Sequence, residues 1–184
     1  MKKIKVQKRY FTQLAGEYLA AGELFRQGFF ASVTFGLAKS FDIFVSGQKG
    51  KLARIEVKAS SDPYFTRKRP PVYPNDHKWH FNIQSIIKEL DEYGGVGSNH
   101  APSDKFYVFV TLCGDKPDYY VFEAQMIYNA LRNKINRFYH KPKYKGRKPS
   151  GRWDLKLSDI FNYKQQEKVY LQKDNWNALR RYLN

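Results

Sequence analysis

Four apolar residues in the first part of the chain lie at helical spacing: Leu14, Tyr18, Ala21 and Phe25. On a 3.6-residue period they form one stripe across about three turns. The stripe predicts a helix over residues 12–27 that faces the core, with Thr12 as its N-cap. Gly28 ends the pattern.

Shorter apolar runs between turn residues predict strands and further helices. Strands are predicted at residues 29–35, 41–46, 51–60, 79–83, 106–112 and 119–122. Turn residues 46–50 predict that the second and third of these form an antiparallel hairpin, and the last two are expected to pair. Helical stripes follow at residues 83–90, 127–138 and 176–183, with Asp174 as the N-cap of the last. Mixed strands and helices predict an α/β domain.

The chain reads as one domain over residues 1–184, because no repeat or second periodic unit interrupts it. Residues 61–78 combine four prolines with a basic run and are predicted to form a basic loop. Residues 141–152 carry six Lys or Arg and no acid, so they are predicted to form a mobile basic arm.

The net charge of the chain indicates the kind of partner that it binds. A formal charge of +16 at pH 7 lies well outside the magnitude of about 2 to 8 that is usual for a small domain. Such a charge attracts a polyanion, so nucleic acid is the expected partner. No apolar stretch approaches the length of a membrane span and no apolar region follows the basic N-terminus, so a cytoplasmic protein is expected.

Candidate chemistry lies in the predicted hairpin. Glu56 and Lys58 are separated by one residue, so on a strand they project from the same face. Asp42 stands between Phe41 and Ile43 in the preceding strand, where an unpaired carboxylate is costly and needs a partner. If the register places Asp42 on the face of Glu56, the two carboxylates can share a divalent cation through oxygen ligands.

The order of an acid on a helix, an Asp on one strand and Glu-x-Lys on the next resembles the PD-(D/E)XK nuclease superfamily, in its Holliday-junction-resolvase-like or restriction-endonuclease-like branch. The resemblance covers roughly residues 12–112. It implies a restriction-endonuclease-like core with a mixed central β-sheet flanked by helices and a metal site at the sheet edge. It also implies Mg²⁺, with Mn²⁺ as a substitute, bound by Asp42 and Glu56, while Lys58 aligns the attacking water and Glu17 supplies the additional helix acid.

Several alternatives stay open at this point. Phe41 replaces the Pro of the family motif, and Glu-x-Lys also occurs as a plain surface ion pair. Glu17 equally suits a solvated acid near the positive end of the helix dipole. The resemblance implies a DNA endonuclease that works as a homodimer, whereas charge alone also suits a noncatalytic nucleic-acid-binding protein or a basic RNA-associated scaffold.

Six basic residues in the two basic segments are the candidate phosphate contacts. They are Arg67, Lys68, Arg69, Lys143, Lys145 and Arg147. Aromatic neighbours such as Tyr144 are candidates for stacking on bases, although a solvated loop explains the same composition.

Overall fold

A computed structural model describes residues 4–34, 41–47, 49–61, 78–112, 115–161 and 171–184. The helices are α1 (Ile4–Arg26), α2 (Ile83–Glu92), α3 (Ala124–Tyr139), α4 (Leu157–Ile160) and α5 (Asn177–Leu183). The strands are β1 (Phe30–Val33), β2 (Ile43–Ser46), β3 (Leu52–Ser60), β4 (Lys78–Asn82), β5 (Lys105–Thr111), β6 (Asp118–Glu123) and β7 (Arg152–Lys156). The predicted α/β class, with a mixed sheet flanked by helices, is confirmed.

The main sheet has five strands in the order β1-β2-β3-β5-β6. All neighbouring pairs are antiparallel except β3 and β5, which run parallel. The predicted hairpin of β2 with β3 and the predicted pairing of β5 with β6 are both confirmed. The middle strand of the sheet is β3, and its residues Arg54 and Ile55 have strand partners on both sides.

Two hydrophobic clusters cover the two faces of this sheet. On one face, α2, α3, β4 and β7 pack over alternate residues of β5 and β6, such as Tyr107 and Phe122. On the other face, α1 and α5 pack over Ile55, Val57 and the intervening residues of β5 and β6. Alternate side chains along the strands therefore contribute to the two hydrophobic clusters, as expected for a sheet between helical layers.

Helix α1 differs from its prediction in its start and in its buried face. It begins at Ile4 instead of Thr12, because no Gly or Pro interrupts residues 4–12 and Lys, Gln and Arg favour helix. Its core side consists of small residues and Leu24, while Tyr18 and Phe25 of the predicted core stripe are exposed. A Cβ at Gly16 would lie 2.4 Å from the Cβ of Ala59, so the helix approaches the sheet too closely for large rings.

Two predictions near the C-terminal part of the chain were wrong. Asp174 does not cap α5, which begins after Trp176; Asp174 adopts a left-handed φ of 52° and donates its backbone N–H to the Tyr119 carbonyl. Residues 141–152 do not form a free arm. Pro142–Tyr144 forms a 3₁₀ turn, and residue 152 begins β7, a strand that pairs with β4.

The predicted basic loop at residues 61–78 lies mostly outside the described residues. Its last residue, Lys78, is the first residue of β4 and pairs with Lys156 of β7, so residue 78 belongs to a strand and not to the predicted loop. Among the described residues, no helix is both long and apolar enough to cross a membrane.

Candidate active site

The structure places the candidate strand residues close together, but only two of them are in the regular sheet. Glu56 and Lys58 of β3 pair with Tyr107 and Phe109 of β5. Tyr107 and Phe109 belong to the cluster on the face that α2 and β4 partly cover, so Glu56 and Lys58 lie on that face. Asp42 stands one residue before β2, and its backbone N–H donates to the Ile55 carbonyl, so the regular register with β3 does not extend to it. The predicted sheet-edge position holds only locally: β3 is the middle strand, but among the described strands none pairs with Val57 and Ala59 on the β2 side.

Just before β2 begins, the Asp42 carboxylate bonds a backbone group of β3 that has no partner in β2. Its Oδ2 accepts a hydrogen bond of 2.7 Å from the backbone N–H of Val57. The Asp42 backbone N–H donates to the Ile55 carbonyl, while its own carbonyl accepts from Thr34. Asp42 is therefore fixed from three directions, which holds its carboxylate close to β3.

Beyond Val57, the same edge of β3 is bonded by Gln13 of α1. The Gln13 side-chain amide donates to the Val57 carbonyl at 2.8 Å, and its oxygen accepts from the Ala59 N–H at 3.3 Å. Gln13 Nε2 also donates to Glu17 Oε1 at 3.0 Å. Sequence reasoning missed Gln13; its signal was its position four residues before Glu17, on the same helix face.

Glu17 approaches the other acids from α1, on the opposite side of the sheet. It is partly buried, and its charge raises the pKa of both Asp42 and Lys58. Its described hydrogen bond is to Gln13 and not to either of those side chains. The structure therefore places Glu17 within electrostatic reach of the site without joining it to the strand residues.

Glu56 and Lys58 form a partly buried ion pair between Lys58 Nζ and Glu56 Oε1. The ammonium also lies 5.6 Å from the centroid of the Phe81 ring. Burial lowers the pKa of Lys58, but the neighbouring carboxylates of Glu56, Asp42 and Glu17 outweigh it and raise that pKa overall. Lys58 is consequently a charged donor at neutral pH.

The same environment that favours the charged form of Lys58 disfavours the charged form of Asp42. Burial, followed by repulsion from Glu56, raises the pKa of Asp42 from 3.8 to about 7, although Lys58 and the Val57 N–H act against that rise. Two carboxylates in a half-buried place repel each other. An additional positive charge between them would remove this cost.

Asp42→Asn is expected to stabilise the metal-free protein at pH 8 by about 1–3 kcal/mol. In the wild type, the folded state holds a proton on Asp42 more tightly than the unfolded state does. The stability that the wild type gains from this proton is present below pH 4 and is lost as the pH rises through about 7. Asn keeps an acceptor for the Val57 N–H but does not ionise. Urea unfolding at pH 5 and pH 8 measures the difference between variant and wild type.

The control for this prediction is Asp115→Asn, an exposed acid of the same type outside the site. Its difference from wild type should be the same at both pH values. An advantage for Asp42→Asn that does not grow between pH 5 and pH 8 would contradict the raised pKa.

Glu56 and Lys58 line an open cleft of about 540 Å³ between the sheet and α2. Its remaining lining residues are Arg54, Phe81, Asn82, Ser85, Ile86, Lys88, Glu89, Glu92, Tyr93 and Tyr107. Asp42 and Glu17 are not among the lining residues and stand behind the pair. The cleft leaves Glu56 and Lys58 reachable from solvent while their neighbours are fixed.

The structure separates the candidate phosphate contacts into two groups. Arg67, Lys68 and Arg69 lie outside the described residues. Lys143, Lys145 and Arg147 are exposed and lie near the end of α3. Tyr144, between them, stacks on Phe138 at 4.3 Å between ring centroids, so it is used for packing and is not presented as a free ring.

Across the described residues, no group of three or more His, Cys, Asp or Glu side chains is arranged to hold a metal ion. The acids that the structure brings together are the pair Asp42 and Glu56, with Glu17 at a distance. A cation at this place would take protein ligands from two side chains and complete its shell from other oxygen donors, as Mg²⁺ commonly does.

Comparison with known proteins gives one informative likeness. No family model matches the chain, and no curated protein matches it. Among solved structures, the bacterial homing endonuclease I-Ssp6803I matches with a TM-score of 0.52 and 12% identity, over 94% of this chain and 93% of that one. The chain has an endonuclease-like fold. At this identity the likeness concerns the fold alone, and the endonuclease-like fold spans nearly the whole chain.

Proposed function

We propose that the protein is a Mg²⁺-dependent endonuclease that hydrolyses phosphodiester bonds in DNA. The observation that carries the proposal is the half-buried pair Asp42 and Glu56 beside the charged Lys58, with Glu56 and Lys58 lining a solvent-open cleft and Asp42 behind them. The endonuclease-like fold and the net charge of +16 support it independently. Asp42, Glu56 and Lys58 are the proposed catalytic residues, and Glu17 is a proposed supporting acid.

The two carboxylates fit a divalent cation. Burial and mutual repulsion make ionised Asp42 unfavourable, and a cation shared with Glu56 would reverse both effects. Carboxylate oxygens are the ligands that Mg²⁺ prefers, and Mn²⁺ accepts the same donors. When bound, the ion would acidify water and stabilise charge on the phosphate.

The chain's own residues supply position and charge. Val57 N–H and Thr34 hold Asp42 in place, so its carboxylate does not need to reorganise when a ligand binds. Lys58 stays protonated and borders the cleft, where it can donate to a phosphate oxygen or to the attacking water. The ion pair with Glu56 limits where that ammonium can lie.

Noncatalytic nucleic-acid binding is the second candidate. It is favoured by the absence, within the described part of the chain, of a third acid close enough to complete a metal cluster. In that reading Glu56 and Lys58 are a structural ion pair, and the basic surface binds phosphate without cleaving it.

Cleavage of labelled duplex, single-stranded and four-way-junction DNA in Mg²⁺ or in EDTA tests the proposal. We expect cutting of at least one substrate in Mg²⁺, and none in EDTA. Asp42→Ala, purified in parallel, excludes a contaminating nuclease, and Asp115→Ala is the matched control. DNA binding by the wild type without cleavage of any substrate in Mg²⁺ or Mn²⁺ would favour the noncatalytic candidate.

A homodimer is also part of the proposal, because two linked sites could address both strands of a duplex. The surface that would join the two copies is a separate question.

A further inference from the structure

Helix α1 has a second apolar stripe that the described elements of the fold leave uncovered. It consists of Phe11, Ala15, Tyr18, Gly22 and Phe25, named here the α1 seam. Successive members are four, three, four and three residues apart, so on a 100° wheel they fall within about 40° of one line. The small residues that pack on the sheet lie on the opposite side of the helix.

The seam is exposed along its whole length. The rings of Phe11, Tyr18 and Phe25 are 60%, 51% and 56% exposed, and Ala15 and Gly22 between them are also exposed. A Cβ built at Gly22 would meet nothing within 4 Å. Scattered apolar residues on a surface need no explanation, but a continuous helical stripe of rings marks an interaction surface.

We propose that the α1 seam is the contact between two copies of this chain, through antiparallel packing of their α1 helices. The reason is its alternation of large and small residues. A heptad has two core positions, and in antiparallel packing each layer joins one of them to the other. In the seam, one core position holds Phe11, Tyr18 and Phe25, and the other holds Ala15 and Gly22. The four inner layers then each set a ring against a small residue.

The fit requires no other protein, since the reversed stripe is complementary to itself. Phe11 and Tyr18 would oppose Gly22 and Ala15 of a second copy, and the twofold axis repeats both contacts. A register shifted by one heptad pairs Tyr18 with Gly22 and Phe25 with Ala15 equally well. A partner of unrelated sequence would have to reproduce this alternation by chance.

The area suffices for a weak dimer. Three half-exposed rings with flanking Leu19 offer roughly 400 Å² per copy, or roughly 800 Å² in total, which is in the range of weak interfaces. We expect a dissociation constant in the micromolar range. Each copy carries a charge of +16, so repulsion opposes association and added salt should strengthen it.

Gly22→Leu is the decisive variant. Leucine is a better helix former than glycine and its side chain enters open space, so the monomer should fold at least as well as wild type. Leucine also adds apolar surface, so a nonspecific hydrophobic association would become stronger in this variant. In the proposed packing, the leucine instead clashes with a ring of the second copy, so the dimer should weaken by at least about tenfold.

Sedimentation equilibrium of nucleic-acid-free protein from 1 to 100 μM, at 50 mM and 500 mM NaCl, measures this. Tyr18→Glu should also give monomers, while Tyr139→Glu, a helical tyrosine with a similar exposure of 50%, should leave the dimer intact. A monomeric wild type at 100 μM, or a Gly22→Leu variant that associates more strongly, would overturn the proposal. Association that weakens with salt would point instead to copies bridged by residual nucleic acid. None of these results depends on cleavage.

Discussion

Lys58→Met is expected to lower the rate of Mg²⁺-dependent DNA cleavage by about 10²- to 10³-fold, the usual effect of removing one donor that acts on developing charge. Methionine is an unbranched apolar side chain that replaces most of the lysine stem but removes the ammonium that lies near the Phe81 ring. Asp42 and Glu56, the proposed metal ligands, are unchanged in this variant. Single-turnover cleavage at saturating protein measures the chemical step, and fluorescence anisotropy measures DNA binding.

Lys88→Met is the matched control for this loss. Lys88 lines the same cleft and is exposed, so its removal changes the net charge by the same amount without touching the ion pair. We expect its cleavage rate to stay within about threefold of wild type. Equal losses in the two variants would mean that the cleft attracts DNA by charge alone and that Lys58 has no part in the chemistry.

Strand periodicity predicted the face on which the candidate residues lie. The alternation in β2 and β3 has one arrangement that buries Ile43, Val45, Ile55 and Val57, and a slip by one residue would expose all four. That arrangement necessarily turns Glu56 and Lys58 to the other face. The site's position on β3 could therefore be read from sequence.

Helix periodicity was less informative for α1, because this helix has two apolar sides. The stripe through Tyr18 and Phe25 contains the larger side chains and was assigned to the core, but the sheet contacts the side that contains Gly16 and Ala20. A hydrophobic pattern counts apolar residues and does not report how closely two elements approach. The exposed seam is the outcome of that close approach.

Contacts between distant segments were beyond the reach of the pattern. The role of Gln13 depends on β2 beginning only at Ile43. Among the described strands, none therefore pairs with Val57 and Ala59 of β3 on that side. The pairing of β4 with β7 joins segments about 70 residues apart, and β7 looked like part of a basic arm. Neither local composition nor local period contains this information.

Glu89→Gln is expected to lower the free energy of unfolding by about 3–5 kcal/mol, the usual cost of leaving one member of a buried ion pair alone. Glu89 of α2 pairs with Lys105 Nζ, and Lys105 is 2% exposed at the start of β5. Without the carboxylate, the Lys105 ammonium stays in the core beside the Tyr107 ring and loses the ion pair that the structure describes for it. Urea unfolding at pH 7 measures the loss.

The double variant Glu89→Leu with Lys105→Met separates a structural pair from a functional acid. Two apolar side chains of similar size should recover most of the stability, because an ion pair in the core gains little over well-packed hydrocarbon. A loss below about 1 kcal/mol in Glu89→Gln would show that Lys105 finds another partner or loses its proton. If the double variant is stable but cleaves DNA much more slowly than wild type, Glu89, which lines the cleft, also acts on the substrate. If it is stable and active, the chemistry belongs to Asp42, Glu56 and Lys58, and the pair beneath α2 only supports the cleft.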